Sequence, residues 1–235
     1  MNIIQEALIK ALDLVITFDE SLFEILLLSF KVSGISLLLS CFIGLPLGTL
    51  LAIKNFWGRN SVLILFNTMM GLPPVVVGLM VYLLVSRSGP LGWLGILYTP
   101  TAMIIAQMIL ITPIIVSLTA QIIEEISQEY KNLFVSLVVP SHKAIMAYIY
   151  DARYSILTVI LAGFGRAISD VGAVIIVGGN IDHLPRVITT TIALETSKGN
   201  LSLALALGII LLFIALITNF LLITIKMNAK RHMYV

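Results

Sequence analysis

Long apolar runs alternate with short polar breaks along this chain. The first run spans about residues 23–53, with Glu24 and Lys31 towards its start, and stops at the basic turn "KNFWGRN" (54–60). The second covers about 61–86 and contains "GLPPVVVG". Pro73 and Pro74 predict a kink there, because proline lacks a backbone donor and clashes with the preceding turn. "SRSGPLGWLG" (86–95) is dense in turn formers and reads as a loop. Further runs follow at about 100–123, 154–179 and 201–225. A bilayer crossing needs about 20 mostly apolar residues in a helix. The pattern therefore predicts five spans.

Two segments do not fit that series. Near the N-terminus, Ile4, Leu8, Ala11, Leu12 and Val15 keep helical spacing, with Glu6, Lys10 and Asp13 elsewhere on the wheel. Residues 1–20 thus read as an amphipathic helix lying on the membrane or packed on the other helices. They lack the basic start, apolar core and small-residue cleavage site of a signal peptide. Residues 124–152 are more polar but hold Leu133, Val135, Leu137, Val138, Val139, Ile145 and Tyr148, too many apolar side chains for a solvated loop. They predict two short helices against the membrane, divided at Pro140, or a docking element for a soluble partner.

Composition supports the membrane reading. Of 235 residues, 59% are hydrophobic and 11% charged, and the mean hydropathy is +1.09. Soluble domains average about 25% charged residues. The formal net charge of +2 is too small to point to nucleic acid. With five spans the termini lie on opposite sides. One side then receives eight basic residues (Lys54, Arg59, Lys131, Lys143, Arg153, Lys226, Lys230 and Arg231) and the other four (Lys10, Arg87, Arg186 and Lys198). The positive-inside rule places the N-terminus outside and the C-terminus in the cytoplasm.

Covalent chemistry finds little support. The chain has no Gly-Lys pair, hence no Walker A loop, and no H-E-x-x-H helix. His142, His183 and His232 are far apart and read as ordinary surface histidines, so no metal site is expected. Cys41 is the only cysteine, which rules out a disulfide within one chain and reads as a buried inert thiol.

The exception to this plain pattern is "GFGRAISDVGAVIIVGGN" (163–180). In one helix Arg166 and Asp170, four residues apart, share a face. A charge at the centre of a membrane helix costs about 2.5–3.5 kcal/mol on insertion scales, so the pair should face protein or a water-filled cavity. Three readings stay open: an internal salt bridge, an anion pathway drawing on Arg166, and contacts between subunits. Gly165, Gly172 and Gly179 recur every seven residues, which suits either tight helix packing or a gate. Gly178, Gly179 and Asn180 would end the helix at a pathway mouth. Thr189, Thr190 and Thr191 either belong to a short connecting helix or offer hydroxyls and amides to an oxyanion.

This stretch, with "RVITTTIALETSKGNLSLALALGIILL", resembles the membrane subunit of the tungstate-type ABC importer, a branch of the molybdate/sulfate/tungstate permeases. "NTMMGLPPVVVGLMVYLLVSRSGPLG" and "YTPTAMIIAQMILITPII" are similar to the same family. The resemblance runs from about residue 20 onward and implies an all-α type I ABC importer permease. In this reading residues 1–20 form the N-terminal helix and residues 21–235 the transmembrane domain. The coupling region lies at about 124–152, with Leu137, Val138, Val139, Pro140, Ser141 and His142 meeting an ATPase. Two departures stand out. The family usually has glutamate at the place of Asp170, and a glycine where Val138 falls. The resemblance implies a homodimer in a bacterial or archaeal cytoplasmic membrane. It also implies a pair of cytoplasmic ATPases, which use ATP and magnesium, and an external binding protein that delivers the oxyanion. The chain itself would carry no catalytic residue and no cofactor. An ATP-independent channel or carrier and a non-transporting scaffold are the contrasting possibilities.

Overall fold

The computed structural model describes residues 3–17, 20–179 and 186–231. They form helices α1 (Ile3–Ile16), α2 (Glu20–Ile53), α3 (Arg59–Met69), α4 (Pro74–Val85), α5 (Pro100–Ser136), α6 (Ser141–Ser169), α7 (Gly172–Gly178), α8 (Ile188–Ser197) and α9 (Leu201–Arg231). A single 3-10 turn lies at Gly92–Leu94. Among the described residues four helices are long and apolar enough to cross a membrane, within α2, α5, α6 and α9, and the bent pair α3–α4 makes five if it is one span. The protein is an all-α, multi-pass membrane protein.

The register between α2 and α5 decides the topology. Ser36 Oγ donates to Gln107 Oε1 at 2.8 Å, and Thr112 Oγ1 donates to Ser40 Oγ at 3.2 Å. Gly44 lies against Ile115, and Gly48 against Val116 and Thr119. Both series ascend together, so α2 and α5 run parallel, and the chain must cross back between them. The bent pair α3–α4 makes that crossing. At one end Arg59 Nη2 lies 3.1 Å from Glu124 Oε2. At the other, Val85 joins a core cluster with Ala102, and Tyr82 packs against Tyr98. From Ala102 to Glu124, α5 rises about 33 Å at 1.5 Å per residue. That matches a hydrocarbon core about 30 Å thick.

Close approach of α2 and α5 depends on small side chains. Ser36, Ser40, Gly44 and Gly48 recur every four residues, and a Cβ on Gly48 would stand 2.6 Å from the Val116 carbonyl oxygen. In lipid, such small-residue seams let backbones approach and gain van der Waals contact. Gln107, only 3% exposed, extends the seam to α6 by donating to the Ala167 carbonyl at 3.0 Å.

Two sequence expectations need correction. Residues 124–152 are not two short surface helices. Instead α5 continues to Ser136 and α6 starts at Ser141, so two long helices meet in a hairpin. Tyr130, Phe134 and Tyr148 stack with ring centroids 5.6 and 5.4 Å apart and bind its arms together. Aromatics four residues apart on α5 keep one helix face apolar beyond the span, which is why the helix does not stop. Pro140 does separate the two helices, as the residue before α6. The fourth run is not one helix either; it divides into α6 and α7. On α1, small residues face the other helices and most of the apolar stripe faces outward. Ala7 and Ala11 are buried and Leu14 packs beside the α9 cluster, while Ile4, Leu8, Leu12 and Val15 point away from the chain.

The seam gives a direct expectation. Gly48→Val forces a branched side chain into the α5 backbone and should destabilise by about 1–3 kcal/mol, the usual cost of overpacking. Gly208→Val, where a Cβ meets nothing within 4 Å, should stay within about 0.5 kcal/mol. Unfolding of both variants in detergent micelles measures the difference.

Candidate functional site

The two broken helices meet at their breaks. The chain bends by 102° between α3 and α4. Pro73 caps α4 and Pro74 opens it, so the predicted kink is a full break. Proline has no N–H, and the ring favours a helix start over a helix interior. The Leu72 carbonyl is one of the main-chain acceptors at this break. It receives Arg166 Nη2 at 3.1 Å. On the facing strand of chain, α6 stops at Ser169 because Asp170 adopts extended backbone (φ −73°, ψ 118°). Asp170 Oδ1 accepts the Ala173 amide at 3.3 Å and so caps α7. Serine and aspartate favour such turns by bonding nearby backbone groups.

That break alters the expected relation between Arg166 and Asp170. The described residues contain ion pairs within 4 Å at Arg59–Glu124 and Lys198–Glu195, and Arg166–Asp170 is not one of them. A face shared at four residues exists only while the helix continues, and here it ends between the two. Each residue serves a helix end instead. Asp170 is 4% exposed, and its Oδ2, like Arg166 Nε, is buried without a hydrogen-bond partner.

The glycines separate in the same way. A Cβ on Gly78 would stand 2.8 Å from the Ala173 Cα, and one on Gly172 would stand 2.8 Å from Val75 Cγ2. α4 and α7 therefore touch backbone to backbone, both starting at the breaks and running towards Tyr98, whose amide donates to the Val177 carbonyl. Gly178 abuts Met103, and Gly179 takes a left-handed φ of +68° that closes α7 against the Tyr98 ring. Gly165 is exposed with nothing near a Cβ, so the seven-residue series is not one face. Asn180, His183 and His232 lie outside the described residues.

The three threonines are buried at the start of α8. Thr189 Oγ1 donates to the Asp170 carbonyl at 3.1 Å, and Thr190 and Thr191 each donate to the Val187 carbonyl at 2.9 Å. Their hydroxyl protons are directed to main-chain acceptors, not outward to an oxyanion. Beyond them, Lys198 Nζ and Asn200 Nδ2 donate to Glu195 at 3.0 and 3.1 Å. The Lys198 bond leads in holding this carboxyl below the usual carboxylate range.

At the opposite end, Leu137–Pro140 forms the hairpin tip. Val138 is 84% exposed, and its φ of 52° lies in the left-handed region, uncommon for a β-branched residue. The glycine that the resemblance places at this position suits that conformation. Val139 packs with the Tyr148 cluster, so the adjacent valines have opposite environments. Ser141 and His142 begin α6, and their side chains lie outside the described residues.

Sequence reasoning overlooked Arg59, which reaches both Glu124 and the Leu51 carbonyl (2.6 Å). A basic residue opening one apolar run and an acid closing another was the available signal. Among the described residues no group of three His, Cys, Asp or Glu side chains could hold a metal ion.

Comparison with known proteins adds to this geometry. The family model "Binding-protein-dependent transport system inner membrane component" matches residues 44–225. A probable anion ABC transporter permease protein of Haloferax volcanii is 40% identical over 203 residues, 84% of this chain and 88% of that protein. The tungstate uptake system permease protein TupB of Peptoclostridium acidaminophilum is 37% identical, covering 93% of this chain and 96% of its own. TupB of Campylobacter jejuni is 35% identical, covering 90% and 88%.

Two measurements check the site. A double-mutant cycle of Arg166→Ala and Asp170→Ala should show coupling below about 1 kcal/mol, whereas a buried ion pair would lose about 3–5 kcal/mol on removal of one partner. Val138→Gly should stabilise the hairpin by about 1–2 kcal/mol, by relieving the left-handed strain, read as a higher unfolding midpoint.

Proposed function

Because the chain belongs to the family of binding-protein-dependent transport system inner membrane components, we propose that it is the translocating subunit of a tungstate importer. The substrate is a tetrahedral dianion delivered by an extracytoplasmic binding protein, and the energy comes from a partner ATPase that binds ATP and magnesium. Identity of 35–40% to anion and tungstate permeases over most of each chain is the observation that carries this reading.

In this proposal two copies enclose the path, and the α5–α6 hairpin projects into the cytoplasm. The positive-inside rule supports that orientation, since Lys54, Arg59, Lys143 and Arg153 gather at the hairpin end. The N-terminus is then outside, and α1 (within residues 1–20) is an amphipathic helix at the membrane. Leu137–His142 forms the coupling element, with the exposed Leu137 and Val138 entering the ATPase surface. Closure of the ATPases on ATP draws the two hairpins together. α5 and α6 are stiff levers that carry this motion into the membrane.

The breaks at Leu72 and Asp170 act as hinges, where main-chain ladders are already interrupted. The α4–α7 contact, with Gly172, Gly178 and Gly179, forms the outer gate, and Asn180 follows it in sequence. Thr189 ties α8 to the break that begins α7, while Thr190 and Thr191 cap the start of α8. Arg166 lends positive potential to the path beside it. No group on this chain makes or breaks a covalent bond of the substrate. The permease supplies a path and a lever.

Vesicles containing this chain, its ATPase and the loaded binding protein should accumulate labelled tungstate only with ATP; equal uptake without ATP overturns the proposal. Molybdate and sulfate at equal concentration rank the oxyanions. Val138→Asp buries a charge in the docking surface, which costs several kcal/mol. It should cut uptake by about a hundredfold while the ATPase hydrolyses ATP alone; normal uptake would remove the hairpin tip from the docking surface.

A further inference from the structure

An apolar crevice opens away from both breaks. Between the end of α2 and the first half of α6 lies a cavity of about 390 Å³, walled by Leu45, Leu50, Ile149 and Ile156, with Thr49 and Lys54 as its polar side chains. The two helices run in opposite directions, since Gly163 abuts Leu37 while Tyr148 and Ala152 cluster with Ala52. Leu45 and Ile156 therefore mark the deep end, and Lys54 the mouth. Leu50 and Ile149 stand on its two sides and are 45% and 41% exposed, so the crevice opens laterally.

Depth and polarity together describe an occupant. From Leu45 to Lys54 the crevice runs about 14 Å along α2 at 1.5 Å per residue, close to half of a hydrocarbon core about 30 Å thick. Its mouth coincides with the end of the α2 span at Ile53. Trp57, fully exposed in the turn that follows, is a side chain of the kind that sits at headgroup level. Water does not suit the cavity, because an ordered water needs about two to four polar partners, and the lining is almost wholly aliphatic. Left empty, the cavity would deprive its walls of dispersion contacts. Lys54 is exposed at the mouth and belongs to neither ion pair found among the described residues. Among the described residues no carboxylate lines the crevice, and Asp151 of α6 is engaged by the Tyr130 hydroxyl.

We propose that this α2–α6 crevice is a binding site for an anionic phospholipid, with one acyl chain between the helices and the phosphate on Lys54. Hydrocarbon meets the aliphatic walls, and the ammonium meets the headgroup where the crevice reaches water. Basic pockets between membrane helices hold acidic headgroups in the same way. In the orientation proposed above, the lipid comes from the cytoplasmic leaflet. The inference goes beyond the importer reading and does not depend on its substrate. The acyl chain lies between the α2–α5 seam and the lower part of α6, so an occupied crevice braces α6 against the seam.

Native mass spectrometry of the complete transporter in detergent, titrated with phosphatidylglycerol or phosphatidylcholine of equal chain length, provides the test. Phosphatidylglycerol should bind about fivefold more tightly or better, the gain expected of one basic side chain beside an acidic lipid. Lys54→Gln should abolish that preference and Lys54→Arg should keep it, while Arg87→Gln, at the opposite membrane face, leaves it unchanged. Leu50→Trp fills the crevice and should weaken both lipids by about tenfold. Equal affinity for the two lipids in the wild-type protein, or a preference that survives Lys54→Gln, overturns the proposal. Glycerophosphoglycerol, the same headgroup without chains, should not compete; displacement of the lipid by it would make the ligand a free phosphate ester and reject the crevice. Should Lys54→Gln fail to assemble, the wild-type protein decides. Phosphatidylglycerol with a photoreactive group near the end of one acyl chain should label the peptides holding Leu45 or Ile156. Labelling confined to other peptides rejects the site. Separation of the complex into single chains by Leu50→Trp, with no lipid retained by the wild-type protein, would assign the crevice to a second copy and reject it as well.

Discussion

The parallel contact of α2 with α5 is the constraint on which the rest of the molecule depends. Without a hydrophobic drive between helices in lipid, association relies on packing and interhelical hydrogen bonds. Ser36, Ser40, Gly44 and Gly48 bring the two backbones together, and Gln107 fastens α6 to the same seam. Two parallel helices joined in sequence require a return crossing. That crossing is the bent α3–α4 pair, whose 102° turn sets its break against Arg166 of α6. The seam thereby places the α3–α4 break and the α4–α7 contact.

Charged and hydroxyl side chains inside the membrane mostly serve the backbone. The breaks at Pro73–Pro74 and Asp170 release main-chain groups that lipid cannot satisfy. Arg166 meets the Leu72 carbonyl, Asp170 meets the Ala173 amide, and Thr189 meets the Asp170 carbonyl. The bonds link three elements at one depth, so a movement of α6 reaches the α3–α4 break through Arg166. The same side chains let a discontinuous helix survive in a bilayer and join α6, α7 and α8 to the α3–α4 break. The hairpin end works by different means, since aromatic stacking keeps α5 and α6 stiff beyond the span.

Much of this was legible along the chain. Apolar runs of about 20 residues report crossings directly, because every backbone group must be satisfied within a helix there. Pro73–Pro74 marked the interruption, Gly179 the end of a helix, and Pro140 the start of another. The four-residue series Ser36, Ser40, Gly44 and Gly48 is legible in the same way, as a stripe of small residues at helical spacing. The hairpin is not legible in this way, because its mixed polarity resembles an interfacial segment, and the ring contacts of Phe134 with Tyr130 and Tyr148 that join its arms are tertiary.

The amino-acid sequence by itself determined the class, an all-α membrane protein, because hydropathy acts through one-dimensional run length. It also marked helix ends at Pro73–Pro74, Pro140 and Gly179, since proline and glycine act on their own backbone, but not the break at Asp170. Tertiary structure alone decided what the charges touch. Arg166 and Asp170 are four residues apart in sequence, yet the chain changes direction at Ser169, and Arg166 finds an acceptor 94 residues away. A partner that distant depends on how α3, α4 and α6 pack, which no local pattern specifies.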